Sequence, residues 1–179
     1  MSRIASFAPA IPAAPRALVL GSMPGVASLR AGQYYAHPRN AFWPLMQVLF
    51  AVPSRAPYAE RLAALGEAGV ALWDVLAECE REGSLDSAIA PASVAVNDIA
   101  GLLAAHPDLG VVALNGGTAA RLFDRHVRPS LGGRLATLRL LRLPSTSPAH
   151  AARSFVEKAD AWAALSEALH ASEGERACA

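Results

Sequence analysis

The chain has 179 residues, of which 53% are hydrophobic and 17% charged, with a formal net charge of +1 and two cysteines. That is the length and composition of one globular domain, not of a disordered chain, a disulfide scaffold or a holder of a four-thiolate iron–sulfur cluster. No apolar run approaches the roughly 20 residues needed to cross a bilayer, and the near-neutral charge means that any nucleic-acid footprint must be local.

The N-terminal stretch to Pro15 is rich in Ala and Pro and is expected to be flexible. It lacks the charged start and apolar run of a signal peptide, so a cytoplasmic location is expected. Ala17-Leu18-Val19-Leu20 reads as a buried strand that runs into a loop at Gly21-Ser22-Met23-Pro24-Gly25. The spacing from Ala41 to Phe50 is helical, with Pro44 tolerated in the first turn. A second helix is expected from Tyr58 to Glu67, and a second strand at Val70-Ala71-Leu72-Trp73, ending in Asp74. Gly83 to Ala92 reads as loop. Asn97 is expected to cap a helix that stops at His106, before Pro107.

Val111-Val112-Ala113-Leu114 is a third strand, running into Asn115-Gly116-Gly117, and Thr118 to His126 a further helix. Leu138 to Leu143 is a fourth strand, followed by Pro144-Ser145-Thr146-Ser147-Pro148. The last helix is expected from Ser154 to His170, with a frayed tail over 172–179. Strands that are short continuous apolar runs, alternating with helices, specify a parallel sheet covered on both faces. The expected fold is therefore α/β, a three-layer αβα sandwich around a central four-stranded, mainly parallel sheet, in a single domain. In such a sheet ligands bind beyond the carboxyl ends of the strands. Three loops should meet there: Gly21 to Asn40, Asn115 to Thr118, and Pro144 to His150.

The first of these loops contains Tyr34-Tyr35-Ala36-His37-Pro38-Arg39-Asn40, just before a helix. Aromatic faces together with Asn and His suit a flat heterocycle, which needs a ring to stack on and donors to read its edge. The same residues also suit packing and, for Asn40, helix capping. Asn115-Gly116-Gly117 suits a plain strand-to-helix turn as well as a site. Asp74 follows the second strand and could face the site, though a cap or surface role is the first expectation, and Asp86 is an alternative group for orienting water. No convincing metal-ligand spacing is present, and no metal or cofactor is expected.

Taken in order, GSMPG, YYAHPRNAFWPLM, LNGGTAARLF and LPSTSPAHA resemble the uracil-DNA glycosylase superfamily, and most closely its hypoxanthine-DNA glycosylase branch. The resemblance implies a monofunctional DNA glycosylase that removes deaminated bases, with hypoxanthine in deoxyinosine as the expected target. Many superfamily members carry a water-positioning Asp or Asn where this chain has Met23. In the branch it resembles, that role passes to the Asn of the HPxN segment, here Asn40. Tyr35 matches the aromatic beneath the flipped base, and Asn115 the residue that reads the base edge. Ser22 and Met23 line the base pocket. Ser145 to Ala149 resembles the loop that grips phosphate and wedges the duplex, with Ser147 on phosphate and Pro148 and Ala149 in the wedge. Alanine is small for that task. His150 and Arg39 are expected beside the DNA, with Arg142 and Arg153 adding charge.

Lys158 is the sole lysine. Placed on the last helix and away from the loops, it favours simple hydrolysis over Schiff-base lyase chemistry. The expected partner is DNA containing deaminated bases, with no membrane, and the expected state is a monomer. The closest alternative is a mismatch-specific uracil glycosylase of the same fold. A nucleoside or nucleotide hydrolase is a more distant one, since the Gly-rich phosphate fingerprints are absent.

Overall fold

The computed structural model describes residues 2–177. Four strands form the central sheet: β2 (Ala17–Gly21), β3 (Val70–Asp74), β6 (Val111–Asn115) and β7 (Arg139–Leu143). Their order is β3-β2-β6-β7, and every neighbouring pair is parallel. The apolar runs are buried because both sheet faces are covered. On one face Ala17, Val19, Leu72 and Ala113 pack against α2 (Phe42–Phe50), α3 (Tyr58–Glu67) and α6 (Phe155–Ala177). On the other, Leu18, Leu20, Val112 and Leu114 pack against α4 (Ile99–Ala105) and α5 (Gly117–Leu122). Side chains alternate across the sheet with a period of two, which supplies both cores from the same strands.

The chain leaves β2 to form β3 on one side, then returns past β2 to form β6 on the other. The connections leaving β2 and β6 therefore diverge, and a crevice opens between them at the carboxyl ends of the strands. This topological switch point is where the site lies.

A second sheet was not expected. β1 (Ser2–Ala5), β4 (Leu76–Arg81) and β5 (Ala95–Val96) form an antiparallel sheet ordered β1-β4-β5. The N-terminal stretch expected to be flexible thus pairs along β4, and Ala10 bridges to Leu72. β4 is hard to read because one of its buried positions is the charged Arg81. A short helix, α1 (Val26–Ala31), also follows the first loop.

The cap of α4 is Asp98, whose carboxylate accepts from the Gly101 N–H at 2.8 Å, and not Asn97. Asn97 instead donates to the main-chain carbonyls of Asp74 and Leu76. α5 ends at Leu122, and a π turn continues over Phe123–Val127. The tail expected to fray from 172 is helical to Ala177; residues 178 and 179, including Cys178, lie outside the described residues. Among the described residues no helix is long and apolar enough to cross a membrane.

Trp162 joins the helical layer to the site. It is fully buried, meets Phe42 edge to face at 6.0 Å and donates its indole N–H to the Pro144 carbonyl at 2.9 Å. Trp162→Ala is expected to lower unfolding free energy by about 3–5 kcal/mol, read from the urea midpoint at constant slope.

Candidate active site

A cavity of about 500 Å³ opens at the switch point and is lined by all three expected loops. A larger, shallower depression of about 720 Å³ lies at the opposite end of the strands, beside Pro12, Leu62 and Gly69. Arg16 lines it too, but its guanidinium is engaged with the Ala68 and Leu169 carbonyls. The smaller cavity is the one in which polar groups converge, as a binding site requires.

Its aromatic wall is Tyr35. The ring stacks on Phe42 at 4.0 Å with an interplanar angle of 24°. Tyr35 has φ +56°, a left-handed conformation unusual for a bulky residue and costing roughly 1–2 kcal/mol. Its neighbours hold it there. Tyr34 is buried against Phe7, its hydroxyl donates to the Ala8 carbonyl, and its N–H donates to the Tyr58 hydroxyl. Trp43 fastens the same segment by donating to the Tyr34 carbonyl at 3.0 Å. The Tyr35 ring is half-buried, but its hydroxyl oxygen is fully enclosed and has no hydrogen-bond partner. Burial, then the nearby Asp74 carboxyl, push that phenol well above its ordinary range. The Asn115 amide eases the shift without reaching hydrogen-bond geometry.

Asn40 lines the cavity, and its Oδ1 accepts from the Phe42 N–H at 3.0 Å. The helix starts one residue later than expected, so this is a two-residue Asx-type turn leading into α2. One lone pair of Oδ1 fixes the side chain, and a second remains to meet a ligand. His37 also lines the cavity, its Nδ1 accepting from the Arg39 N–H.

Asn115 and Thr146 close the opposite wall. Asn115 Nδ2 donates to Thr146 Oγ1 and Asn115 Oδ1 accepts from the Thr146 N–H, each at 3.0 Å. The Thr146 carbonyl then accepts from the Ala41 N–H. One fully buried threonine thus binds together the ends of β6 and β7 and the entrance to α2. Nothing in the sequence distinguishes it, since its neighbours Ser145 and Ser147 carry the same kind of group. Beside it, Gly116 has φ +98°, and a Cβ there would lie 2.9 Å from the Ser145 Cβ. Only glycine allows the two loops to approach this closely.

Ser145 and Ser147 sit in the following turn, where Ser145 Oγ accepts from the Ser147 N–H and Ser147 Oγ from the Ala149 N–H. Pro148, Ala149 and His150 continue the rim. Lys158 is not remote from these loops: it is buried, and its ammonium donates to the His150 carbonyl at 3.0 Å. Its amine is not part of the cavity wall. Arg39 is exposed beside the opening, and Arg121, unassigned from sequence, lies on its wall. Arg142 is ion-paired with Asp124 at 2.6 Å on the β7 edge, so it is less available to a phosphate than expected.

The floor is acidic. Asp74 is 3% exposed, neither a cap nor a surface residue as its sequence position suggested. The chain turns directly after it, where Val75 and Leu76 N–H groups donate to the Gly21 and Ser22 carbonyls. Its Oδ1 comes so close to Gly21 that a Cβ there would stand 2.4 Å away, and its Oδ2 has no hydrogen-bond partner. Burial, reinforced by the charge of Asp86 and opposed by Arg81, pushes its pKa up to about 8. Asp86 receives the Ser22 hydroxyl at 2.8 Å from either carboxylate oxygen. Its pKa is also raised, chiefly by burial, with Ser22 and Arg81 restraining the shift. Arg81 itself is buried under the first loop and donates to the carbonyls of Gly83 and Pro24. Met23 is a buried apolar part of the wall.

Gly21→Ala is expected to destabilise the fold by about 1–3 kcal/mol, because the new methyl displaces the Asp74 carboxyl. The loss should shrink by at least ~0.5 kcal/mol when Asp74→Ala is already present, as measured by a double-mutant cycle in urea.

Residues 8–166 match the model of the uracil DNA glycosylase superfamily. A protein described as a hypoxanthine DNA glycosylase from Methanosarcina barkeri is 37% identical over 111 residues, 62% of this chain and 69% of the relative. One of the same description from Methanosarcina acetivorans is 34% identical over 125 residues, 65% of this chain and 78% of the relative. A solution NMR structure of a candidate uracil DNA glycosylase from M. acetivorans superposes with a TM-score of 0.78 at 29% identity. It covers 94% of this chain and 99% of its own.

Proposed function

The chain belongs to the uracil DNA glycosylase superfamily, and from that premise we propose that it excises hypoxanthine from deoxyinosine in DNA, by hydrolysis and as a monomer in the cytoplasm. The observation that carries this reading is the cavity at the switch point, where a strained, stacked Tyr35 faces a fixed set of amide and carboxyl groups. A flipped purine needs such a platform and such an edge.

In this reading the base stacks on Tyr35. Asn115, whose side chain Thr146 holds in place, offers its remaining N–H and lone pair to the base edge. Ser22 and Met23 form the wall, and main-chain N–H groups after Gly21 stabilise charge on the departing base. Asn40 uses the free lone pair of Oδ1 to accept a hydrogen bond from water, which aims the water's own lone pair at C1′ of the sugar. An amide is no strong base, and attack on a sugar with oxocarbenium character requires positioning more than deprotonation. Ser145, Ser147 and Arg39, with His150 nearby, contact the DNA backbone. Pro148 and Ala149 enter the duplex. Leu85, 56% exposed on the rim, adds apolar bulk where Ala149 is short.

The test is single-turnover incubation with duplexes carrying hypoxanthine, uracil or xanthine, with chelator present, followed by alkali. Hypoxanthine duplexes should yield free base and an abasic strand that stays intact until alkali cleaves it, with no adduct trapped by borohydride. Asn40→Ala should slow the chemical step on the order of 10²-fold while binding changes little. Cleavage of uracil duplexes alone would instead assign the chain to mismatch-type uracil removal.

A further inference from the structure

Two polar atoms on the floor of the cavity are enclosed and have no partner: Tyr35 Oη and Asp74 Oδ2. Buried polar atoms are normally hydrogen-bonded, and an orphan on a residue that lines a cavity marks a group left without a fixed partner beside the space a ligand would fill. The Asp74 carboxyl is the more informative of the two. It is 3% exposed, its main chain is held by Asn97 and by the turn onto Gly21 and Ser22, and the missing Cβ of Gly21 is what makes room for it. Such a position is costly for an ionised carboxylate and acceptable for a neutral acid.

Asp86 stands in contrast. Its carboxylate is a third exposed, accepts the Ser22 hydroxyl and lies 3.9 Å from the Arg81 guanidinium, contacts that restrain the rise that burial imposes on its pKa. Two carboxyl groups in one cavity, one able to hold a charge and one enclosed, is the arrangement that separates an acid from its partner. The charged groups that act on Asp74 are Asp86 and Arg81, and the hydroxyls of Tyr34 and Tyr35 are coupled to it electrostatically. Arg121 acts further out, through Asp86.

We propose that Asp74 is the general acid of base excision, its carboxyl O–H delivering a proton to the purine as the glycosidic bond breaks. The proposal rests on the glycosylase reading above. The C1′–N9 bond breaks with its electron pair going to the base, and the proton from Asp74 makes that base a neutral leaving group. The water held by Asn40 bonds through oxygen to C1′ and loses its surplus proton to solvent. The Asp74 carboxylate recovers a proton from solvent, so none is consumed. A purine can take this proton on a ring nitrogen or on its exocyclic oxygen.

The sign of the pH dependence follows from the raised pKa of about 8. The acid form holds below that value and is lost above it. Single-turnover excision of hypoxanthine from duplex DNA should be level below about pH 8 and fall roughly tenfold per pH unit above it. Asp74→Asn keeps size and a hydrogen-bond donor but has no transferable proton. It should slow excision on the order of 10²-fold or more, remove the alkaline fall, and bind the hypoxanthine duplex within a few-fold of wild type. Carbon-13 NMR of the Asp74 carboxyl in the free, wild-type protein should show titration near 8, and this readout needs neither a variant nor a substrate.

Near-wild-type excision by Asp74→Asn, an alkaline fall that persists in that variant, or titration of Asp74 in the ordinary carboxylate range would each overturn the proposal. Wild-type protein that releases no hypoxanthine at any pH, with Asp74 still titrating near 8, would overturn the glycosylase reading itself, and the acid's assigned reaction with it.

Discussion

The reciprocal pair of hydrogen bonds between Asn115 and Thr146 is the constraint on which the geometry of the site depends. Both partners are buried, so loss of either would strand a polar group away from water, at a cost of roughly 1–3 kcal/mol. Through the Thr146 carbonyl the same residue also fixes the Ala41 N–H at the mouth of α2. Asn40 and Phe42 flank that residue, and Phe42 carries the stacked Tyr35 ring. A disturbance at Thr146 would therefore reach the Tyr35 ring, the Asn40 amide and the Asn115 amide together.

A second constraint is electrostatic. Gly21 lets a carboxyl approach β2 so closely that any side chain would displace it, and the enclosure keeps that carboxyl protonated to about pH 8. The fold bears a cost for this. In the unfolded chain Asp74 ionises in the ordinary range around 3.8, so between there and about pH 8 the folded state alone retains the proton. Stability contributed by the neutral group is complete below the lower value and declines as pH rises through the interval. A protein that tolerates such a group at the floor of its cavity has given up stability there, a trade that active sites commonly make.

The central sheet was legible because its strands are uninterrupted apolar runs, and no other element buries both faces so simply. The cavity was legible in outline, since glycine and polar residues follow three of those strands. What escaped the sequence is what depends on contacts across elements. β4 was hidden by the buried Arg81, whose partners are the Gly83 carbonyl two residues on and the Pro24 carbonyl far back along the chain. Asp98 and Asn97 are neighbours with similar capping chemistry, and only the tertiary bonds of Asn97 to the β3–β4 turn decide between them. Asp74 reads as a surface carboxylate until the turn after β3 is seen folding back over Gly21. Lys158 and Arg142 were likewise assigned by chain position, whereas the His150 carbonyl and Asp124 engage them.

In the proposed function a flipped purine is held by the cavity between β2 and β6. This is tested most directly by amide NMR of the labelled protein, titrated with a duplex carrying one 2′-fluoro-deoxyinosine, a nucleotide that resists glycosidic cleavage. The account predicts that the largest shift changes absent from an undamaged duplex fall on Tyr35, Asn40, Asp74, Asn115 and Thr146. Lesion-specific changes confined to the depression beside Pro12 and Gly69, or no difference between the two duplexes, would contradict it.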